Sequence, residues 1–170
     1  LIYIKAYFAS YRAEKVNAWY WVAVVSYSLT IGFSTIGLFA LIGLIVKKKG
    51  LSAEEAQFAF GKWVFKELYE VAPAGAHDFN DVFTFLHAVQ DFIHIEVKKL
   101  NPDALLPEFE FLFESDTKVS FHYQSPRKLC YFCEGLVHGL AEHTGQKISV
   151  AQSECEHDGG KRCVIEVEKI

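Results

Sequence analysis

Three groups of side chains have types and spacings that could do chemistry. The first is His94, whose i−1 and i+3 neighbours on a helical pattern are Ile93 and Val97. An imidazole beside an apolar wall favours its neutral form and can ligate a metal. The second is the run Tyr123-Gln124-Ser125-Pro126-Arg127. In an extended segment Tyr123, Ser125 and Arg127 would address one face, and two hydroxyls with a guanidinium fork suit a pair of carboxylates. The third is the four cysteines. Cys130 and Cys133 are i and i+3 on a helical pattern, and Cys155 and Cys163 flank the Gly159-Gly160 turn on neighbouring strand patterns. Four thiolates so placed suit a structural zinc, which such a set holds more often than a disulfide in a reducing compartment. Each group taken alone has a plainer reading. A single helix histidine is usually a hydrogen-bonding residue, a Tyr-x-Ser-x-Arg match arises by chance, and free cysteines pack as small hydrophobes.

The elements that must position these groups read as an α+β chain. Residues 5–25 are helical in pattern, but their aromatics are too dense to define one face. A helix over 36–48 is ended by Gly50, and Ser52-Ala53-Glu54-Glu55 has the capping-box spacing that starts a helix over Ala56 to Tyr69. After a loop at 73–78, Phe83, Leu86, Val89 or Gln90, Ile93, Val97 and Leu100 recur at helical spacing up to Asn101-Pro102. The period then becomes two. Phe109, Phe111 and Phe113 alternate with Glu108, Glu110, Leu112 and Glu114, and Val119, Phe121 and Tyr123 follow the turn at 115–117. A helix over 127–144 stops at Gly145, and strands over 147–155 and 161–168 form a second pair. No repeat or low-complexity linker divides the chain, so a single domain over 1–170 is expected.

Composition narrows the function classes. The 51% hydrophobic and 15% aromatic content of the 170 residues suggests a large apolar cavity or a membrane segment. Residues 18–46 carry no charge and Lys47, Lys48 and Lys49 follow, as in a positive-inside flank. Ser26, Ser28, Thr30, Gly32, Ser34 and Thr35 nevertheless split the stretch into runs too short to span a bilayer, so the reading is against a membrane span. A net charge of −4, with no Lys/Arg run interleaved with aromatics, argues against nucleic acid as a partner. No secretory signal pattern opens the chain, a cytoplasmic location is expected, and the start at Leu1 suggests that a few natural residues precede it. Neither a Ser/His/Asp ordering nor a phosphate-binding glycine loop is present, so the chain does not read as an enzyme.

His94, Pro107 thirteen residues on, and Tyr123-x-Ser125-x-Arg127 together resemble the H-NOX family, the haem nitric oxide/oxygen binding domains. Residues 36–170 resemble bacterial stand-alone members, down to Phe60-Gly61 and the run Ser125-Pro126-Arg127-Lys128-Leu129-Cys130. The resemblance implies a helical distal subdomain over about 1–82 packed on a proximal subdomain over about 83–170 with a four-stranded antiparallel sheet, and haem b buried between them. His94 would be the proximal iron ligand, Tyr123, Ser125 and Arg127 would grip the propionates, and Pro107 and Phe132 would line the cofactor. His87, seven residues earlier on about the same face, could compete, but the resemblance selects His94. Phe132 stands where oxygen-binding members carry a distal tyrosine. A phenyl ring cannot donate to bound dioxygen, so selectivity for nitric oxide is expected, with carbon monoxide a second ligand. Tyr131 should face elsewhere, and Phe8 is a candidate for the distal wall. The resemblance further implies that nitric oxide weakens the iron–His94 bond, shifting the two halves and signalling to a histidine kinase or a cyclic-di-GMP enzyme.

Some bacterial relatives bind zinc through three cysteines and a histidine, whose place here is taken by Gln152. Glutamine is a poor zinc ligand, so the fourth place beside Cys130, Cys155 and Cys163 is assigned to Cys133, with His157 as the alternative. Thiol redox sensing would be a secondary property of such a cluster. A rival reading rests on Gly135, Gly139, Cys155, Gly159-Gly160 and Cys163. These also resemble the haem-free, small-molecule-binding module named after vinyl reductase, which has no reason to place His94, Tyr123, Ser125 and Arg127 together.

Overall fold

Ser52 starts the first described helix as its spacing requires. Its hydroxyl accepts the Glu55 N–H at 3.1 Å, and the Glu55 carboxylate accepts the Ser52 N–H at 2.7 Å. This helix, α1 (Ala53–Glu70), belongs to the second of two compact units, Leu1–Leu41 and Ile42–Ile170. The structure, a computed structural model, describes Gly43 and residues 50–170, all within that second unit. Gly43 is helical, and Gly50 takes the left-handed conformation expected of a helix stop, with φ at +66°. The expected helix over 5–25, the uncharged stretch at 18–46, the rest of the helix over 36–48 and Phe8 lie outside the described residues. Among the described residues no helix is long and apolar enough to cross a membrane.

A 3-10 turn (Ala74–Asp78) leads to α2 (Val82–Ala88), whose cap is Asp81, accepting the N–H groups of Phe83 and Thr84. The expected unbroken helix from 83 to 100 is not what forms. Val89–Ile93 is a π turn, and α3 (His94–Leu100) follows it. The apolar period slips where Val89 and Gln90 compete for one face, and the chain absorbs the slip as a wider turn.

The α+β expectation holds. Strands β1 (Glu108–Glu114), β2 (Lys118–Gln124), β3 (Ile148–Glu154) and β4 (Cys163–Lys169) form an antiparallel sheet in the order β1-β2-β4-β3, with α4 (Cys130–Thr144) between β2 and β3. One face carries Phe109, Phe111, Val119, Phe121, Tyr123, Ile165 and Val167 into a core shared with Phe83, Leu86, Val137 and Leu140. The alternation expected of β1 breaks at Leu112. A bulge there pairs Phe111 with Phe121 but Phe113 with Ser120, so Phe113 turns to the opposite face and is 53% exposed, while Glu114 comes round towards α2. Gly145 ends α4 at φ +69°, as expected of a C-terminal glycine, but α4 starts at Cys130 rather than near Arg127.

Helices α1 and α4 are in backbone contact. A Cβ at Gly61 would fall on the Phe132 carbonyl oxygen, and one at Gly135 on that of Phe58. Only glycine at both positions allows so close a crossing.

Candidate functional site

His94 opens α3 immediately after the π turn, its backbone N–H bonded to the Val89 carbonyl. The ring is half-buried and meets Phe109 edge-on, with centroids 5.9 Å apart. Burial, and then the nearby Lys98 charge, lower its pKa, which keeps the imidazole neutral at pH 7 with a lone pair to give. Ring nitrogens of His87, His122 and His157 have hydrogen-bond partners; among the described residues that of His94 has none, nor have those of His138, His77 and His143, which meet Phe58 and Tyr69 on α1 instead. His87 also reaches β1, but it is already engaged. Its ring stacks on Phe111 at 3.8 Å and its Nε2 lies 3.2 Å from Glu114. The bulge that brings Glu114 to this side is what supplies that partner.

Phe109 stands between His94 and Tyr123, whose ring centroid is 6.1 Å from its own. Tyr123 is buried near the end of β2, paired with Phe109 on one side and Cys163 on the other. Burial, and then the nearby Cys133 sulfur, raise its pKa against an opposing hydrogen bond with Ser125, so the phenol remains a donor. The expectation that Tyr123, Ser125 and Arg127 lie on one extended face is corrected. β2 ends at Gln124, and Ser125 to Lys128 form a tight turn in which Ser125 Oγ accepts the Arg127 N–H at 3.2 Å and its carbonyl accepts the Lys128 N–H at 3.0 Å. Lys128 completes the turn at φ +50°. Pro126 cannot donate to a ladder, which is why the strand stops before it. Ser125 and Arg127 are both half-buried and reach their positions by turn geometry rather than strand alternation.

Pro107 is half-buried and directly precedes β1. Phe132 lies on α4 with its ring 5.5 Å from that of Phe60 on α1. Tyr131, one residue earlier, is turned towards His157, with ring centroids 5.7 Å apart, as a step of about 100° along a helix demands.

The cysteines divide three to one. The sulfurs of Cys130, Cys155 and Cys163 all lie within 4.8 Å of one another, with Cys130–Cys155 at 3.5 Å and Cys155–Cys163 at 3.9 Å. Two thiolates on a tetrahedral zinc with bonds near 2.3 Å are about 3.8 Å apart, so these separations suit a shared metal. The Glu156 N–H points at Cys163 Sγ from 3.4 Å, a contact that favours sulfur carrying negative charge. Cys133, assigned above to the fourth place, is not in this group. It sits one turn further along α4, buried and near Tyr123. His157 gives its Nε2 to the Lys128 carbonyl at 2.8 Å. Gln152 donates to Glu134 at 2.9 Å, and its buried Oε1 has no hydrogen-bond partner among the described residues. Burial, and then the neighbouring thiols, push the Cys130 pKa up.

Two residues, one beside His94 and one at the start of α2, have roles absent from the reading of the sequence above. Gln90 accepts the Phe109 N–H at 3.0 Å, and its only trace in the sequence is the ambiguous apolar period at 89–90. Asp81 caps α2 and accepts from Gln146 and Lys169, each at 2.7 Å, and an Asp immediately before an apolar run is the signal that would have found it.

The sequence matches the Haem-NO-binding family over residues 24–152. No curated protein matches the chain by sequence. The crystal structure of an H-NOX protein from S. oneidensis in the Fe(II)NO ligation state is similar at a TM-score of 0.76 and 27% identity, covering 82% of this chain and 77% of that one. The IWP-051-bound H-NOX from Shewanella woodyi in the Fe(II)CO ligation state gives a TM-score of 0.69 at 29% identity, covering 82% and 73%. An unliganded Fe(II) H-NOX protein from K. algicida shares the fold at a TM-score of 0.71 and 21% identity, covering 79% of this chain and 72% of that one. A half-buried imidazole stands on a helix, a phenol near the end of β2 and a guanidinium in the turn after it, and the family match over most of the length leads to one conclusion: the chain belongs to the Haem-NO-binding, or H-NOX, family.

Proposed function

We propose that this chain is a haem-based gas sensor, with His94 as the iron ligand. The observation that carries the reading is the His94 ring: neutral, half-buried, without a hydrogen bond to any described residue, and separated by one aromatic ring from Tyr123. Its donor set fits haem, since an uncharged nitrogen suits ferrous iron and the Tyr123, Ser125 and Arg127 groups suit propionate carboxylates. Haem, when bound, supplies a ferrous iron with an open position for a diatomic gas. Phe132 and Pro107 would line the cofactor and keep water from it. Phe132 offers no hydrogen-bond donor and Tyr131 is turned to His157, so nothing assigned to the distal side favours dioxygen, and nitric oxide is the preferred ligand, with carbon monoxide second.

His94 is also the switch. A ligand biases two states only by its differential affinity for them, and holding or releasing the His94 ring is the difference that α3 transmits. The receiver is a separate signalling protein such as a histidine kinase or a cyclic-di-GMP enzyme, the location is the cytoplasm, and the chain binds rather than catalyses. Cys130, Cys155 and Cys163 hold a structural zinc whose fourth ligand comes from His157 or Gln152 after local adjustment. Metal analysis should find about one zinc per chain, lost in Cys155→Ser.

The absorption spectrum of the haem-loaded, reduced chain tests the main reading. Expected are a five-coordinate ferrous spectrum, a change with nitric oxide, no stable complex in air, and loss or alteration of the ferrous spectrum in His94→Ala. Failure to retain stoichiometric haem would sink it.

A further inference from the structure

The π turn before His94 needs something to hold it open. Its i→i−5 hydrogen bonds are rarer and less well formed than those of an α-helix, and a turn one residue wider rotates everything after it by roughly one residue's angle, about 100°. The direction His94 faces is therefore set by whether Val89–Ile93 stays wide or tightens. Two side chains of the turn are anchored on opposite sides. Gln90 Oε1 accepts the Phe109 N–H at 3.0 Å across nineteen residues of chain. Phe109 lies on β1, an edge strand, so this amide has Gln90 where an inner strand would have a neighbour. Phe92, two residues on, lies over Gly75 so closely that a Cβ there would be 2.8 Å from its ring.

The same Phe109 whose amide meets Gln90 presents its ring edge-on to His94. One hydrogen bond thus fixes the spacing between the turn and the strand against which the His94 ring rests. We infer that Gln90 is a positioning residue: its bond to the Phe109 amide keeps the turn wide and sets the orientation of the His94 ring. The role rests on the haem reading for its purpose, but the orientation itself is a property of the chain without haem.

The test uses the full chain in both forms. Gln90→Leu keeps the volume and removes the acceptor, Gln90→Asn keeps an amide too short to reach, and Gln90→Glu keeps an acceptor at full length. In the haem-free chain, Leu and Asn should speed exchange of the Phe109 amide by about tenfold, the size of one net hydrogen bond, and abolish the nuclear Overhauser contact between the His94 and Phe109 rings. In the haem-loaded ferrous chain they should shift or split the iron–histidine stretching band. Glu should preserve all three. Faster exchange with an unchanged ring contact and band would overturn the inference, as would Glu behaving like Leu. If Leu does not fold, Asn carries the test. If wild type takes up no haem, the sensor reading falls, and the exchange and ring contact still decide the role of Gln90.

Discussion

The α1–α4 pair and the α2–α3 segment are both helical, and they are held in opposite ways. Along α1 and α4 the contact is backbone on backbone, with Gly61 and Gly135 each facing a carbonyl oxygen of the partner helix. Along α2–α3 the grip fades in the direction of the chain. Asp81 ties the start to Gln146 and Lys169, and Val82, Phe83, Phe85, Leu86 and Ala88 are buried. The π turn and α3 then contain no buried residue at all, and Ile95 and Leu100 are 50% and 88% exposed. The α2–α3 segment, pinned at one end and less buried at the other with His94 just past its wide turn, has the packing of a lever, and the glycine-locked pair that of a mount. Packing of low density is where local opening is cheapest, and moving parts come from such regions.

The comparison breaks most visibly at the mount. Gly61→Ala or Gly135→Ala forces the helices apart and should cost about 3 kcal/mol, read from the urea midpoint; a loss within experimental error would mean that the pair is not locked. The fixed end of the lever comes next. Asp81→Ala removes the α2 cap and should cost about 1 kcal/mol. Partial burial would by itself raise the Asp81 pKa, but hydrogen bonds from Lys169, Gln146 and the Thr84 amide hold it down to about 2. A depressed carboxyl stabilises the fold above its ordinary pKa, and that contribution disappears as pH falls through the folded value. The stability gap between wild type and Asp81→Asn should therefore be full above about pH 4 and close towards pH 2, as urea titrations across that range would show. At the free end, Ile95→Gln should change stability by less than about 0.5 kcal/mol; a larger loss would show that α3 is seated more firmly than its exposure indicates.

Much of this was readable before the fold was known. The capping box at Ser52–Glu55, the stop at Gly145, the apolar alternation from Phe109 to Phe111 and from Val119 to Tyr123, and the opposed directions of Tyr131 and Phe132 all follow from rules spanning a few residues. Those rules depend only on local geometry, so the residue types carry them unaided. Tertiary structure decided the rest. The bulge that turns Phe113 outward depends on where β1 pairs with β2, and the π turn before His94 is held by a strand amide nineteen residues away. The grouping of three cysteines without Cys133 depends on where two strand ends meet the start of α4. Ser125 and Arg127 leave the strand because the chain must turn into that helix. Each of these is set by a partner distant in sequence, whose position exists only once the sheet and helices have packed.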